Sequence, residues 1–190
     1  MLMLQFKDVV LRPAKRSEKD FLWRAIYLDQ EWKQYDAPYH EMAYQSKFRF
    51  GRKLFKRLQE GETARVIEFK GQTVGYLTSY WEDPLTQWLE VGITIFHRQY
   101  WNKKIGRKAL SLWISHLFNT TNIPRVGLST WSGNPRMMKC AMMLGMKLEA
   151  RFRKVRFYNQ QYYDSVHFGV LREEWQALQA PQALPSVSEV

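Results

Sequence analysis

The stretch from Trp88 to Leu110 limits the possible folds of this chain more than any other. Leu89, Val91, Ile93 and Ile95 alternate with Glu90, Gly92 and Thr94, which predicts a strand over Trp88–Phe96. From Ile105 to Phe118 the apolar positions Ile105, Ala109, Leu112, Trp113, Leu117 and Phe118 recur at a period of about 3.6, which predicts a helix. Between them lies a turn rich in amides and cations. A strand entering a helix through such a turn leaves the first helical N–H groups unpaired, and the positive helix end sits beside Lys103, Lys104, Arg107 and Lys108. That start suits a pyrophosphate; the same residues also suit a solvated basic helix end.

The flanking segments set the class. Leu4–Leu11 reads as a first strand ended by a turn at Pro13, and Ser17, Glu18 and Asp20 open a helix over Glu18–Gln30. A second helical stretch runs over Glu41–Gln59 with Gly51 interrupting it. Thr63–Phe69 and Thr73–Trp81 form a hairpin about Lys70-Gly71. Arg125–Trp131 is a buried strand, and Pro135–Leu144 a helix with Asn134 as its cap and Gly145 as its stop. Lys147–Phe157 and Tyr162–Leu171 close the chain as a long hairpin about Asn159-Gln160. This order argues for an α/β domain with a partly antiparallel sheet.

With 190 residues the chain is expected to form a single domain over 1–178, followed by a disordered tail over 179–190 containing two prolines. Cys140 is the only cysteine, so an intrachain disulfide and a cysteine-rich zinc site are excluded and the usage suits a reducing cytosol. His40, His97, His116 and His167 show no ligand spacing, and no metal is expected. The opening residues do not read as a secretory signal, and no window reaches the roughly 18 apolar residues of a membrane span. The expected location is the cytoplasm. A net charge of +11 favours anionic partners without choosing among them. Two basic stretches, Lys47–Arg57 and Lys147–Arg156, suggest a nucleic-acid surface, but no helix-turn-helix, zinc-finger or RNA-platform signature accompanies them.

The residues that carry a family resemblance come in order along the chain. They are Gly92-Ile93-Thr94-Ile95, Tyr100-Trp101 followed by Gly106 and Ala109-Leu110, Asn134, Leu144-Gly145-Met146, Glu149, Tyr162 to Val166, and Leu171 to Trp175. Together they resemble the GNAT superfamily of N-acetyltransferases over residues 4–178, in particular the branch of the ribosomal-protein-alanine acetyltransferases. The resemblance implies a mixed, partly antiparallel central sheet with helices on both faces and a cleft where two central strands splay. It further implies acetyl-coenzyme A as acetyl-donating cosubstrate and an amine as acceptor. The pantetheine arm would lie along Val91, Gly92, Ile93 and Ile95, and the pyrophosphate over the amides of Lys103, Lys104, Ile105, Gly106, Arg107 and Lys108. Asn134 matches the asparagine that holds the pantetheine region. The chain departs from the family in two places. Only the last loop glycine, Gly106, survives, and Met137 and Ala141 stand where many members carry a serine or tyrosine acid.

Acetyl transfer to an ammonium requires removal of a proton before attack on the thioester. Glu90, on one strand face with Gly92 and Thr94, is the candidate base; the same carboxylate also suits a solvent-facing salt bridge. Tyr163, or its neighbour Tyr162, is the candidate general acid. Cys140 falls on the helical spacing of a buried, inert thiol. Asp29, Glu31, Asp36 and Glu41 beside Trp32, Tyr35, Tyr39 and Tyr44 form a candidate acceptor pocket. The expected activity is direct transfer to a small-molecule amine or a protein N-terminus, with a homodimer as a possible assembly. A module that binds acyl-coenzyme A without turnover is the alternative.

Overall fold

The computed structural model describes residues 3–179. The chain runs β1 (Leu4–Phe6), β2 (Val9–Arg12), α1 (Lys19–Tyr27), α2 (Lys47–Phe50), a π-helical turn (Gly51–Phe55), α3 (Lys56–Glu60), β3 (Ala64–Phe69) and β4 (Gln72–Asp83). It continues with β5 (Trp88–Ile95), α4 (Ile105–Thr120), β6 (Arg125–Trp131), α5 (Pro135–Met143), β7 (Lys147–Tyr158), β8 (Gln161–Leu171) and α6 (Arg172–Gln179). Eight strands form one sheet in the order β1-β2-β3-β4-β5-β6-β8-β7. Every neighbouring pair is antiparallel except β5 and β6.

Alternation along the strands divides the core between the two faces. Val91, Leu128, Val166 and Phe168 pack against Leu110, Trp113 and Ile114 of α4 on one side. Val66 packs with Leu22, Ile26, Phe50, Leu58 and Phe96 on the other. The mixed α/β class, with helices on both faces, is as the sequence predicts.

Local signals account for most of the boundaries. Asn134 caps α5 by accepting from the Met137 amide at 3.1 Å. Lys70 and Gly71 both take positive φ, as the tight hairpin turn requires. Three expectations change. The single strand over Leu4–Leu11 is a hairpin, because Lys7 adopts φ 56 and reverses the chain. The helix expected from Glu41 begins at Lys47, where Ser46 caps it. The last strand runs into α6, whose Trp175 enters the core. Gln179, assigned to the tail, ends that helix; the rest of the tail lies outside the described residues.

Gly75 fixes how β4 meets the end of β5. A Cβ there would overlap the carbonyl oxygen of Thr94. Gly75→Ala is therefore expected to cost about 3 kcal/mol, since backbone cannot yield as a side chain does. Urea unfolding checks this, and a midpoint equal to the parent's would contradict the close approach.

Candidate active site

The parallel pair β5 and β6 is joined only at Leu89↔Val126 and Glu90↔Gly127. Beyond those residues β5 stays paired with β4 and β6 with β8, so the two central strands part. A cleft of about 1040 Å³ occupies the gap, with Val91 to Ile95 on one wall and Leu128 to Trp131 on the other. This size is in the range of small-molecule and cofactor sites.

At one end the cleft meets the start of α4. Lys104 is the cap residue with φ 62, and its side chain makes no capping bond. The Lys108 amide bonds to the Lys104 carbonyl at 3.1 Å, so Ile105, Gly106 and Arg107 present amides with no partner inside the helix. Lys104 therefore holds the left-handed conformation that glycine would adopt at little cost. Lys104, Ile105, Gly106 and Arg107 line the cleft. Two expected contributors do not. The Lys103 ammonium lies 5.9 Å from the Tyr100 ring centre, and Lys108 is ion-paired at 2.5 Å with Asp8 in the β1–β2 turn.

Asn134 lines the cleft but is already engaged. Besides its cap bond, its Nδ2 donates to the Tyr35 carbonyl at 3.0 Å, and the Trp131 indole donates to that same carbonyl at 2.9 Å. These bonds fasten the loop after Trp32 across the cleft mouth. Arg136 stands between Tyr35 and Trp101, 4.7 and 4.9 Å from their ring centres.

On the opposite sheet face lies a polar group of side chains. Glu90 is neither solvent-facing nor part of the cleft lining, being 1% exposed. Its Oε2 accepts from the Ser129 hydroxyl at 2.7 Å and its Oε1 from the Trp88 indole at 3.2 Å, while Arg125 stands 3.9 Å away. Ser129 also meets His167 Nδ1 at 2.9 Å. Ser129 and His167 line the cleft together with Thr78, Tyr80 and Ser165. Burial, reinforced by the Glu90 charge, pushes the Tyr80 phenol up to about 12. Burial likewise raises the Cys140 thiol to about 11, so at neutral pH it carries no thiolate.

The expected acid is turned elsewhere. The Tyr163 ring packs 4.8 Å from Trp131, and its hydroxyl donates to Gln161 at 3.0 Å, outside the cleft lining. The Tyr162 ring packs against Phe157. Of the expected acceptor pocket, Trp32, Tyr35, Asp36 and Tyr39 reach the cleft, and Glu82 joins them from β4. Glu31 instead accepts from the Arg98 amide, and Tyr44 packs on Trp23. The surrounding walls raise the Asp36 carboxyl, with Lys33 opposing the shift. Ser129, His167 and Tyr80 escape sequence reading because nothing local marks them; the β6–β8 register Ser129↔His167 brings the first two together.

A model of the acetyltransferase (GNAT) domain matches residues 8–147. The chain belongs to the GNAT acetyltransferase family. No curated protein gives a significant sequence match. Among solved structures, a GNAT-family acetyltransferase from Bacillus anthracis is 15% identical with a TM-score of 0.72, over 91% of this chain and all of that one, 100%. The spermidine N-acetyltransferase from Vibrio cholerae in complex with CoA and spermine is 17% identical with a TM-score of 0.71, over 90% of this chain and 99% of that one. A ribosomal L7/L12 alpha-N-protein acetyltransferase in complex with coenzyme A is 17% identical with a TM-score of 0.66, over 90% and 98%. At these identities the likeness concerns the GNAT fold. Among the described residues no helix is long and apolar enough to cross a membrane.

Proposed function

We propose that this GNAT protein acts as a single domain that transfers an acetyl group from acetyl-coenzyme A directly to a primary amine, on a small molecule or a protein N-terminus. The observation that carries this reading is the parting of β5 from β6 beyond Glu90, which opens a route from the bare amides of α4 to the polar face at Ser129 and His167. Ile105, Gly106 and Arg107 suit the pyrophosphate, because unpaired N–H groups at a helix start favour an anion and the Lys104 and Arg107 charges add to them. Val91, Gly92, Ile93 and Ile95 would run beside the pantetheine arm. Asn134 would act there by holding Tyr35 and the α5 start in place, leaving one N–H and one lone pair for the arm. Asp36 and Glu82, beside Tyr39 and Trp131, suit a cationic acceptor.

The neighbours that act on spermidine and on a ribosomal protein N-terminus support an amine acceptor, and the motif order supports the ribosomal-protein branch. With the Cys140 thiol protonated, transfer proceeds without a cysteine-bound acetyl group. Thiol release from acetyl-coenzyme A should therefore depend on an added amine, give intersecting double-reciprocal lines, and persist in Cys140→Ala at about the parent rate. Tight coenzyme A binding with no amine-dependent release across polyamines, simple primary amines and peptide N-termini would overturn the assignment.

A further inference from the structure

We propose that His167 is the catalytic base of the acetyl transfer, with Ser129 and Glu90 as positioning residues that fix its tautomer. The inference rests on the acetyltransferase reading and deepens it. The hydrogen-bond directions follow from the donors available. Glu90 Oε1 accepts from the Trp88 indole with the Arg125 guanidinium 3.9 Å away, and the Ser129 hydroxyl donates to Glu90 Oε2 across 2.7 Å. Having donated its one proton, Ser129 can only accept from the ring across 2.9 Å. His167 therefore carries its proton on Nδ1 and its lone pair on Nε2. Nε2 lies 3.3 Å from the Ser165 hydroxyl, on the face that lines the cleft.

The surroundings hold this arrangement. The Phe152 ring stands edge-on to the imidazole with ring centres 5.5 Å apart. Arg125, ion-paired to Glu149, keeps a positive charge 3.9 Å behind Glu90. Arg156 approaches Ser165 at 3.5 Å, and Asp36, His40 and Tyr80 face the same cleft.

In the proposed step, His167 Nε2 takes one proton from the substrate ammonium. The freed amine forms its C–N bond to the thioester carbonyl carbon, the C–S bond breaks, and the amine's second departing proton ends on the coenzyme A sulfur. The imidazolium, stabilised through Ser129 by the Glu90 carboxylate, returns its proton to water. The carboxylate buried at the apex of the parted strands thus serves the reaction without touching the substrate.

The test joins kinetics to imidazole NMR on the full chain. His167→Ala should lower kcat roughly 100-fold with the acetyl-coenzyme A KM unchanged, and added imidazole should restore roughly tenfold of that loss. Ser129→Ala should lower kcat roughly tenfold. Nitrogen-15 spectra of the ligand-free parent should show the Nδ1–H tautomer, and Ser129→Ala a mixture of tautomers. An Nε2–H ring in the parent, or a His167→Ala enzyme with near-parental turnover, overturns the relay while leaving the acetyltransferase reading intact. A folded parent that is inert towards every amine, whatever its tautomer, overturns that reading and the relay with it.

Discussion

Gly106→Asp is expected to raise the KM for acetyl-coenzyme A roughly 100-fold while leaving the protein at least as stable as its parent. The two effects separate because they concern different partners of the same amides. Gly106 is the second residue of α4, and a Cβ there meets nothing nearer than the Ile93 Cδ1 at 3.8 Å, so the side chain has room. A carboxylate in the first turn of a helix is favoured by the aligned peptide dipoles and the unpaired N–H groups. It would therefore occupy, from within the protein, the place proposed for the pyrophosphate. A second negative charge some 5–6 Å from that group costs about 3 kcal/mol at an effective dielectric near 20, which sets the expected size. Initial rates against acetyl-coenzyme A, paired with thermal unfolding, check both halves. An unchanged KM would place the phosphates elsewhere. A raised KM with a lowered melting temperature would show only that the helix start had been damaged.

The same residues show what a sequence can disclose about such a site. The cofactor end is written in contiguous chain: strand, turn and helix follow one another, and their periods and caps are local. Lys104 taking the backbone angle of a missing glycine belongs to that local logic, since its neighbours impose the turn. The polar face is different. Glu90 is legible as a strand carboxylate, but its burial and its bond to a serine depend on where β6 and β8 settle beside β5. Alternation places Ser129 on the Glu90 face only once the parallel pairing Glu90↔Gly127 is known, and His167 enters only through the β6–β8 register. Charges are misjudged for the same reason. Lys108 belongs to the basic helix start by sequence, yet the pairing of β1 with β2 brings Asp8 to its ammonium and withdraws it from the cleft. Tyr163 is correctly placed on the last strand, but its position outside the cleft lining goes with its packing on Trp131, 32 positions earlier in the chain, a contact with no signature in either segment.

Arg12→Met is expected to destabilise the protein by about 3–5 kcal/mol at pH 7, with about 2 kcal/mol of that difference disappearing in acid. Arg12 is 7% exposed, and its guanidinium ties three strands to the start of the first helix. Nη1 and Nη2 donate to Glu18 at 2.9 and 2.8 Å, Nε to Glu68 at 2.7 Å, and Nη2 also to Thr73 at 3.0 Å. Methionine fills much of the same volume but leaves the Glu18 and Glu68 carboxylates without their cation, Glu18 keeping only the Thr73 hydroxyl and the Lys15 amide. The pH dependence follows from Glu18. Burial alone would raise its carboxyl, but Arg12, the Thr73 hydroxyl and the Lys15 amide outweigh burial and hold it at about 2, against 4.5 ordinarily. A carboxylate whose folded pKa is depressed contributes its stability above the unfolded value and loses it as pH falls through the folded one. The window thus runs from about pH 5 down to about pH 2 and is worth on the order of 2 kcal/mol once solvent screening is allowed for. In Arg12→Met the carboxyl no longer has its cation, so its acid limb flattens and the two urea-unfolding free energies converge between pH 5 and pH 3. A gap that stays constant with pH would assign the loss to packing around the methionine. Convergence ties the junction of β2, β3 and β4 with α1 to one ionised pair, on the side of the sheet that also carries the loop across the cleft.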